Sequence, residues 1–146
     1  MFVKKNYNPK KENIGDCLIR AFVAFHRGTK TYEQIKNELK VIGKKVGCTY
    51  NSDRAIIHYC KNNNLKAYVS NDKRDEYVYK LSKKYNLDNK TVFQTKNKRM
   101  NINNFTKYNE GDAIVCTRDH AVYIDNNNYI DTWDSGRCFV NYVIRK

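Results

Sequence analysis

The sequence lacks long apolar runs, and this absence excludes two classes of protein. No run approaches the ~20 apolar residues that a membrane-spanning helix requires. Residues 1–11 are rich in lysine and asparagine and contain no apolar stretch of the kind found in a secretory signal. We therefore expect no membrane span, no secretory signal and a cytoplasmic location.

Closely spaced cysteines are also lacking. The chain has five cysteines: Cys17, Cys48, Cys60, Cys116 and Cys138. Their number is odd and no two lie two or three residues apart, so neither a disulfide framework nor a zinc knuckle is indicated. Cys116 and His120 lie four residues apart, and two side chains at that spacing on one strand would be about 13 Å apart, too far to share a zinc ion. We expect reduced thiols, no metal and no other cofactor.

What the chain does contain is enough apolar material for one core. It has 146 residues, of which 40% are hydrophobic and 13% aromatic, with a mean hydropathy of −0.85. A chain of this length buries roughly 68% of its unfolded surface when it is compact. We therefore predict a single domain over residues 1–146.

Positive charge dominates the chain, with a formal net charge of +13. Residues 1–107 hold 24 basic and 9 acidic side chains, whereas residues 108–146 hold 4 and 6. The stretch 80–107 interleaves lysines with aromatic residues, as nucleic-acid-binding grooves do. The 20 lysines and 20 asparagines also fit the codon bias of an AT-rich genome. We favour this compositional explanation because no ordered nucleic-acid motif accompanies the charge.

Three helices are predicted in the first half of the chain. Residues 17–25 are apolar except for Arg20, which indicates a buried helix beginning at Asp16 or Cys17. Arg20 is expected to pair with a carboxylate, such as that of Asp16 four residues earlier. A capping box at residues 31–34 begins a second helix, which the pattern ends at Gly43. A third helix is predicted with Asn51 or Ser52 as its cap, and the asparagines at residues 62–64 end it.

The second half of the chain changes to a strand pattern. Residues 75–85 predict a further helix, and weaker patterns predict strands over 67–70 and 91–95. Clear alternation then predicts strands over 113–117, 120–125, 129–133 and 139–144. The predicted class is α+β, with N-terminal helices packed on a C-terminal antiparallel sheet.

Cys17 is the candidate nucleophile because it begins the buried helix. The positive end of a helix dipole favours a thiolate, and a nearby imidazole is needed to accept its proton. His26 lies about 13 Å further along the same helix and is excluded. His58 falls inside the third helix, where a structural role is the better interpretation. His120 begins a strand and is the predicted general base.

Asp131 is the candidate partner of the His120 imidazole. The turn at residues 125–128 folds the next strand back beside the strand that carries His120. Period-two alternation places Asp131 and Trp133 on one face of that strand. The carboxylate can then orient the imidazole while the Trp133 indole shields the pair from water.

The order of these motifs resembles that of the papain-like cysteine peptidases. Those enzymes have a cysteine at a helix start, a His-Ala-Val strand and an Asn-Ser-Trp-Gly motif, and this chain has His-Ala-Val at 120–122 and Asp-Thr-Trp at 131–133. Residues 15–21 are also similar to the cysteine box of ovarian-tumour-type deubiquitinases. They are more similar still to small papain-fold proteins of phages and bacteria, and the resemblance covers residues 13–42 and 101–135.

The resemblance implies a papain-like fold and acyl transfer through a thioacyl intermediate. Cys17 would be the nucleophile, His120 the general base and then acid, and Asp131 its orienting partner. The position of the family's oxyanion glutamine is occupied by Lys11, so Asn13 is the candidate amide donor beside the Cys17 N–H. Asp16 and Trp133 are expected to support the site. The implied substrate is a protein or peptide.

A second interpretation is a protein without catalytic activity. A papain-fold binding or inhibitor protein of a phage or mobile element, acting in the host cytoplasm, would bind an acidic partner or nucleic acid through the basic residues of 1–107. Within the enzyme interpretation, peptidase, deamidase, acyltransferase and transglutaminase-like chemistry remain open because all of them use the same three residues.

Overall fold

The computed structural model describes residues 1–12, 14–69, 76–87 and 100–146. Within these residues the chain forms five helices and six strands. In chain order they are β1 Phe2–Lys4, α1 Cys17–Phe25, α2 Tyr32–Val46, α3 Asp53–Asn62, β2 Lys66–Val69, α4 Glu76–Tyr85, α5 Ile102–Tyr108, β3 Asp112–Cys116, β4 Ala121–Asp125, β5 Asn128–Asp131 and β6 Tyr142–Arg145. None of these helices is both long and apolar enough to cross a membrane.

The strands form one mixed sheet between two hydrophobic cores. Their order is β1-β5-β4-β3-β6-β2, and every neighbouring pair is antiparallel except β1 and β5, which are parallel. Alternate residues of β3, β4 and β6 point to opposite faces. One face packs against α1, and α2 to α4 contribute to the same core, whereas α5 lies in the core of the other face.

The predicted α+β class is confirmed, but the prediction of a C-terminal antiparallel sheet is wrong in two respects. The N-terminal strand β1 adds a parallel edge, and β2 from the middle of the chain forms the opposite edge. The three residues of β1 are too few to display an alternation pattern. Their pairing depends on distant contacts such as the Phe2 ring packed 5.6 Å from that of Tyr129.

Several predicted element boundaries agree with the structure. Helix α1 begins at Cys17 and α3 is capped by Ser52, as local sequence signals predicted. Predicted strands 120–125, 129–133 and 139–144 are instead β4, β5 and β6, so His120 precedes its strand and β5 ends at Asp131. Helix α5, capped by Asn101, was not predicted. The predicted strand at 91–95 lies outside the described residues.

Gly43 does not end α2, contrary to the sequence prediction. The helix continues to Val46, and Gly47 ends it in the left-handed conformation with φ 74°. A Cβ atom at Gly43 would lie 2.7 Å from the carbonyl oxygen of Cys48. Glycine is therefore required at this position for close packing of the following turn, not for termination.

Gly43→Ala is expected to lower the free energy of unfolding by about 1–2 kcal/mol. Overpacking costs about 1–3 kcal/mol, which exceeds the gain of up to about 1 kcal/mol from the higher helix propensity of alanine. Urea unfolding measures the difference. Gly15→Ala is the control because a Cβ there meets nothing within 4 Å. A Gly43→Ala protein as stable as the wild type would contradict this packing explanation.

Candidate active site

Cys17 occupies the first position of α1, where the helix packs on β3 and β4. Its side chain is partly exposed, and it lines a cavity of about 280 Å³ together with His120. The backbone N–H of Ala121 faces the sulfur and lowers the pKa of Cys17. The fold therefore brings the N-terminus of the first helix to the beginning of β4, a hundred residues later in the chain.

His120 joins Cys17 to Asp131. Its Nε2 atom lies 2.5 Å from Asp131 Oδ2, and its ring lies close enough to the Cys17 thiol for each group to shift the pKa of the other. Because Nε2 faces the Asp131 carboxylate, Nδ1 is the ring nitrogen that can exchange a proton with the Cys17 sulfur. The structure thus brings the three residues predicted from the sequence together, with the imidazole between the sulfur and the carboxylate.

The groups around Cys17 favour the charged form of its sulfur. Burial by itself raises the pKa of Cys17, but the hydrogen bond and charge of His120, the Ala121 N–H and the charge of Arg20 outweigh it, so the pKa is lowered. Burial by itself lowers the pKa of His120, yet its bonds to Asp131 and Cys17 raise it to about 9. These opposite shifts favour a thiolate–imidazolium pair over a neutral thiol and imidazole.

The other cysteines differ from Cys17 in their surroundings. Burial raises the pKa of Cys60 to about 12, and it also raises the pKa values of Cys116 and Cys138. The Cys48 sulfur accepts a hydrogen bond of 3.0 Å from Ser52. Among the described residues, no three His, Cys, Asp or Glu side chains are arranged to hold a metal ion.

Asp131 is held by more partners than the sequence predicted. Its Oδ2 atom accepts the hydroxyl of Ser135 at 2.7 Å, and its Oδ1 atom accepts the backbone N–H of Thr132 at 2.7 Å. Ser135 is completely buried, although it follows the predicted strand in an irregular segment. No local pattern identifies such a serine, because its contact arises from the path of the chain after β5.

Trp133 covers the imidazole from the outside. Its ring centroid lies 4.9 Å from that of His120, with the planes tilted by 36°. The indole is half exposed, and with Phe139 it borders a second groove that His120 also lines. His120 therefore borders both this aromatic groove and the cavity that contains Cys17.

Asp16 does not face the cavity but organises the segment before Cys17. It is buried, and its carboxylate pairs with Arg20 at 2.5 Å, as the sequence predicted. It also accepts hydrogen bonds of 2.8 Å from the Asn8 amide and the Tyr32 hydroxyl. These contacts tie the N-terminal loop and α2 to the first turn of α1.

The second oxyanion donor predicted from the sequence, Asn13, lies outside the described residues. The Lys11 ammonium donates to the carbonyl oxygen of Asn6 at 2.8 Å, so it is engaged within the N-terminal loop. Asn51 is the one side-chain amide among the described residues that line the Cys17 cavity. Sequence reasoning considered Asn51 only as a helix cap.

The two remaining histidines lie elsewhere, as the sequence predicted. His26 Nε2 is 2.7 Å from the Tyr59 hydroxyl, and His58 is a partly exposed residue of α3.

Comparison of the chain with protein-family models, with curated proteins and with solved structures finds no match. A functional inference for this chain therefore depends on the chemistry of the site itself.

Proposed function

We propose that this chain is a cysteine-dependent acyl-transfer enzyme of papain-like fold that cleaves an amide bond in a protein or peptide. The observation that carries the proposal is the contact of His120 with both Cys17 and Asp131. A helix N-terminus, a lowered thiol pKa and an oriented imidazole are the three conditions for an activated cysteine nucleophile.

The proposed reaction begins with attack of the Cys17 thiolate on the substrate carbonyl carbon. The His120 imidazolium gives its proton to the leaving amine as the carbon–nitrogen bond breaks, which leaves a thioester on Cys17. His120, now neutral, takes a proton from water as the water attacks the thioester. The carboxylic acid then departs and the thiolate–imidazolium pair is restored, with Asp131 orienting the ring throughout.

The negative oxygen formed in each step requires hydrogen-bond donors. The backbone N–H of Cys17 at the start of α1 is the donor that the helix supplies. Asn13, predicted from the sequence, and Asn51, which lines the cavity, are the two candidate side-chain donors. Their separate replacement by alanine distinguishes them, because loss of one oxyanion donor slows acylation about 100-fold.

Acylation by p-nitrophenyl acetate tests the proposal. Wild-type protein should release one equivalent of nitrophenol rapidly, carry one acetyl group on Cys17 by mass spectrometry, and then turn over slowly. Cys17→Ala should lose the burst, whereas Cys48→Ala, which removes another partly exposed thiol, should retain it. An undiminished burst in Cys17→Ala, or no burst in the wild type, would leave only the non-catalytic binding interpretation.

Ser135→Ala is expected to slow acetylation of Cys17 about 10-fold. Loss of one hydrogen bond to the carboxylate, worth about 1–1.5 kcal/mol, lets Asp131 turn away from the His120 ring. Ser82→Ala is the control, because that hydroxyl donates to the carbonyl oxygen of Tyr79 within α4. A wild-type rate in a folded Ser135→Ala protein would show that Ser135 does not position Asp131.

A further inference from the structure

The cavity beside Cys17 contains a carboxylate that the proposed mechanism does not use. Asp53, the first residue of α3, lines this cavity together with Cys17 and His120. The volume of about 280 Å³ is at the small end of ligand pockets, which suits one side chain better than a whole ligand.

The Asp53 carboxylate is held in a fixed orientation. Its Oδ1 atom accepts the hydroxyl of Tyr142 at 2.8 Å, and its Oδ2 atom accepts the hydroxyl of Tyr77. Tyr142 is fully buried on β6 and Tyr77 belongs to α4, so the two donors come from distant parts of the chain. Each oxygen accepts one hydroxyl and keeps a lone pair for a further donor.

The charges around the cavity favour a cation. The Cys17 thiolate and the His120 imidazolium compensate each other. Of the other described residues that line the cavity, Asp53 and Asp119 are acidic and Arg118 is basic, which leaves one negative charge. The Arg118 guanidinium lies 5.5 Å above the Tyr77 ring. The excess of positive charge elsewhere on the chain is screened beyond about 8 Å at physiological ionic strength.

We propose that Asp53 determines specificity by binding a lysine or arginine side chain of the substrate, close to the amide bond that is cleaved. This inference rests on the proposed function of Cys17. A purely structural Asp53 would only accept the two tyrosine hydroxyls and favour the N-terminus of α3. With that role alone, substitution of Asp53 would change the stability of the protein, and Cys17 would show no preference for the charge of the substrate.

Dipeptidyl acyloxymethyl ketones test this inference. Each reagent forms a thioether with a reactive thiolate as its carboxylate leaves. In the panel, either the residue attached to the ketone or the residue before it is lysine, norleucine or glutamate. Labelling of wild-type Cys17 should be about 10-fold faster with lysine than with norleucine at one of the two positions, and slowest with glutamate.

Substitutions then assign the preference to Asp53. Asp53→Asn, which keeps an acceptor for a tyrosine, should bring the lysine-to-norleucine ratio close to one, and Asp53→Glu should retain part of it. Asp134→Asn is the matched control, because Asp134 also accepts a tyrosine hydroxyl, from Tyr129 at 2.6 Å, but lies outside this cavity.

Two outcomes would overturn the inference while leaving the proposed function intact. In one, wild-type Cys17 reacts with the whole panel without preferring lysine; in the other, the preference survives in Asp53→Asn. The wild-type panel decides the first outcome even if the Asp53 variants do not fold. Failure of the proposed function itself would be distinct, since no reagent would then label Cys17 faster than Cys48, and both proposals would fall.

Discussion

Replacing His120 with alanine should slow alkylation of Cys17 by iodoacetamide at about pH 6.5 by at least about 10-fold. A thiol with the ordinary pKa of about 8.5 is only about 1% ionised at that pH, and burial without an imidazole partner raises the Cys17 pKa. The higher intrinsic nucleophilicity of a more basic thiolate offsets part of this loss, which is why the expected net decrease is smaller than 100-fold.

The rate should be read at Cys17 alone, by peptide mapping after brief exposure to the reagent. His58→Ala is the matched control, since it removes a partly exposed histidine from α3 without touching the site. Equal alkylation rates in wild type and His120→Ala would mean that the imidazole does not activate the sulfur.

Replacing Asp16 with alanine should lower the free energy of unfolding by about 3–5 kcal/mol. The change leaves the guanidinium of Arg20 without its carboxylate in a site where its side chain is only 9% exposed. It also removes the acceptor of the Asn8 amide and the Tyr32 hydroxyl. Urea unfolding monitored by circular dichroism measures the loss.

A double variant separates the ion pair from the other contacts. Asp16→Leu with Arg20→Met removes both charges and should recover part of the stability lost by Asp16→Leu alone, because no uncompensated charge remains buried. Arg54→Met, on the exposed side of α3, controls for removal of an arginine. If the double variant loses as much stability as the sum of the losses in Asp16→Leu alone and Arg20→Met alone, Arg20 and Asp16 are not energetically coupled.

Local sequence signals were sufficient to predict the parts of the site that lie on regular elements or directly beside them. An apolar run with one arginine located α1 and Cys17, and alternation across a short turn placed Asp131 beside His120. These predictions succeed because periodicity and turn geometry determine the direction of a side chain within a few residues of it.

Contacts between distant segments could not be predicted in the same way. Ser135 reaches Asp131 only through an irregular segment, and Asp53 reaches the cavity because β6 and α4 supply its two tyrosine partners. The strand β1 likewise depends on its pairing with β5 and not on its own composition. Such features arise from tertiary packing, which overrides weak local propensity.

The ultraviolet absorbance of the Cys17 thiolate, measured as the difference between wild type and Cys17→Ser from acidic to alkaline pH, tests the central claim most directly. The lowered pKa of Cys17 means that the thiolate should persist below the ordinary thiol pKa and disappear as the pH falls through the lowered pKa. An absorbance step below the ordinary thiol pKa of about 8.5 is the predicted result. A step at or above that value would contradict the thiolate–imidazolium pair and the chemistry proposed from it.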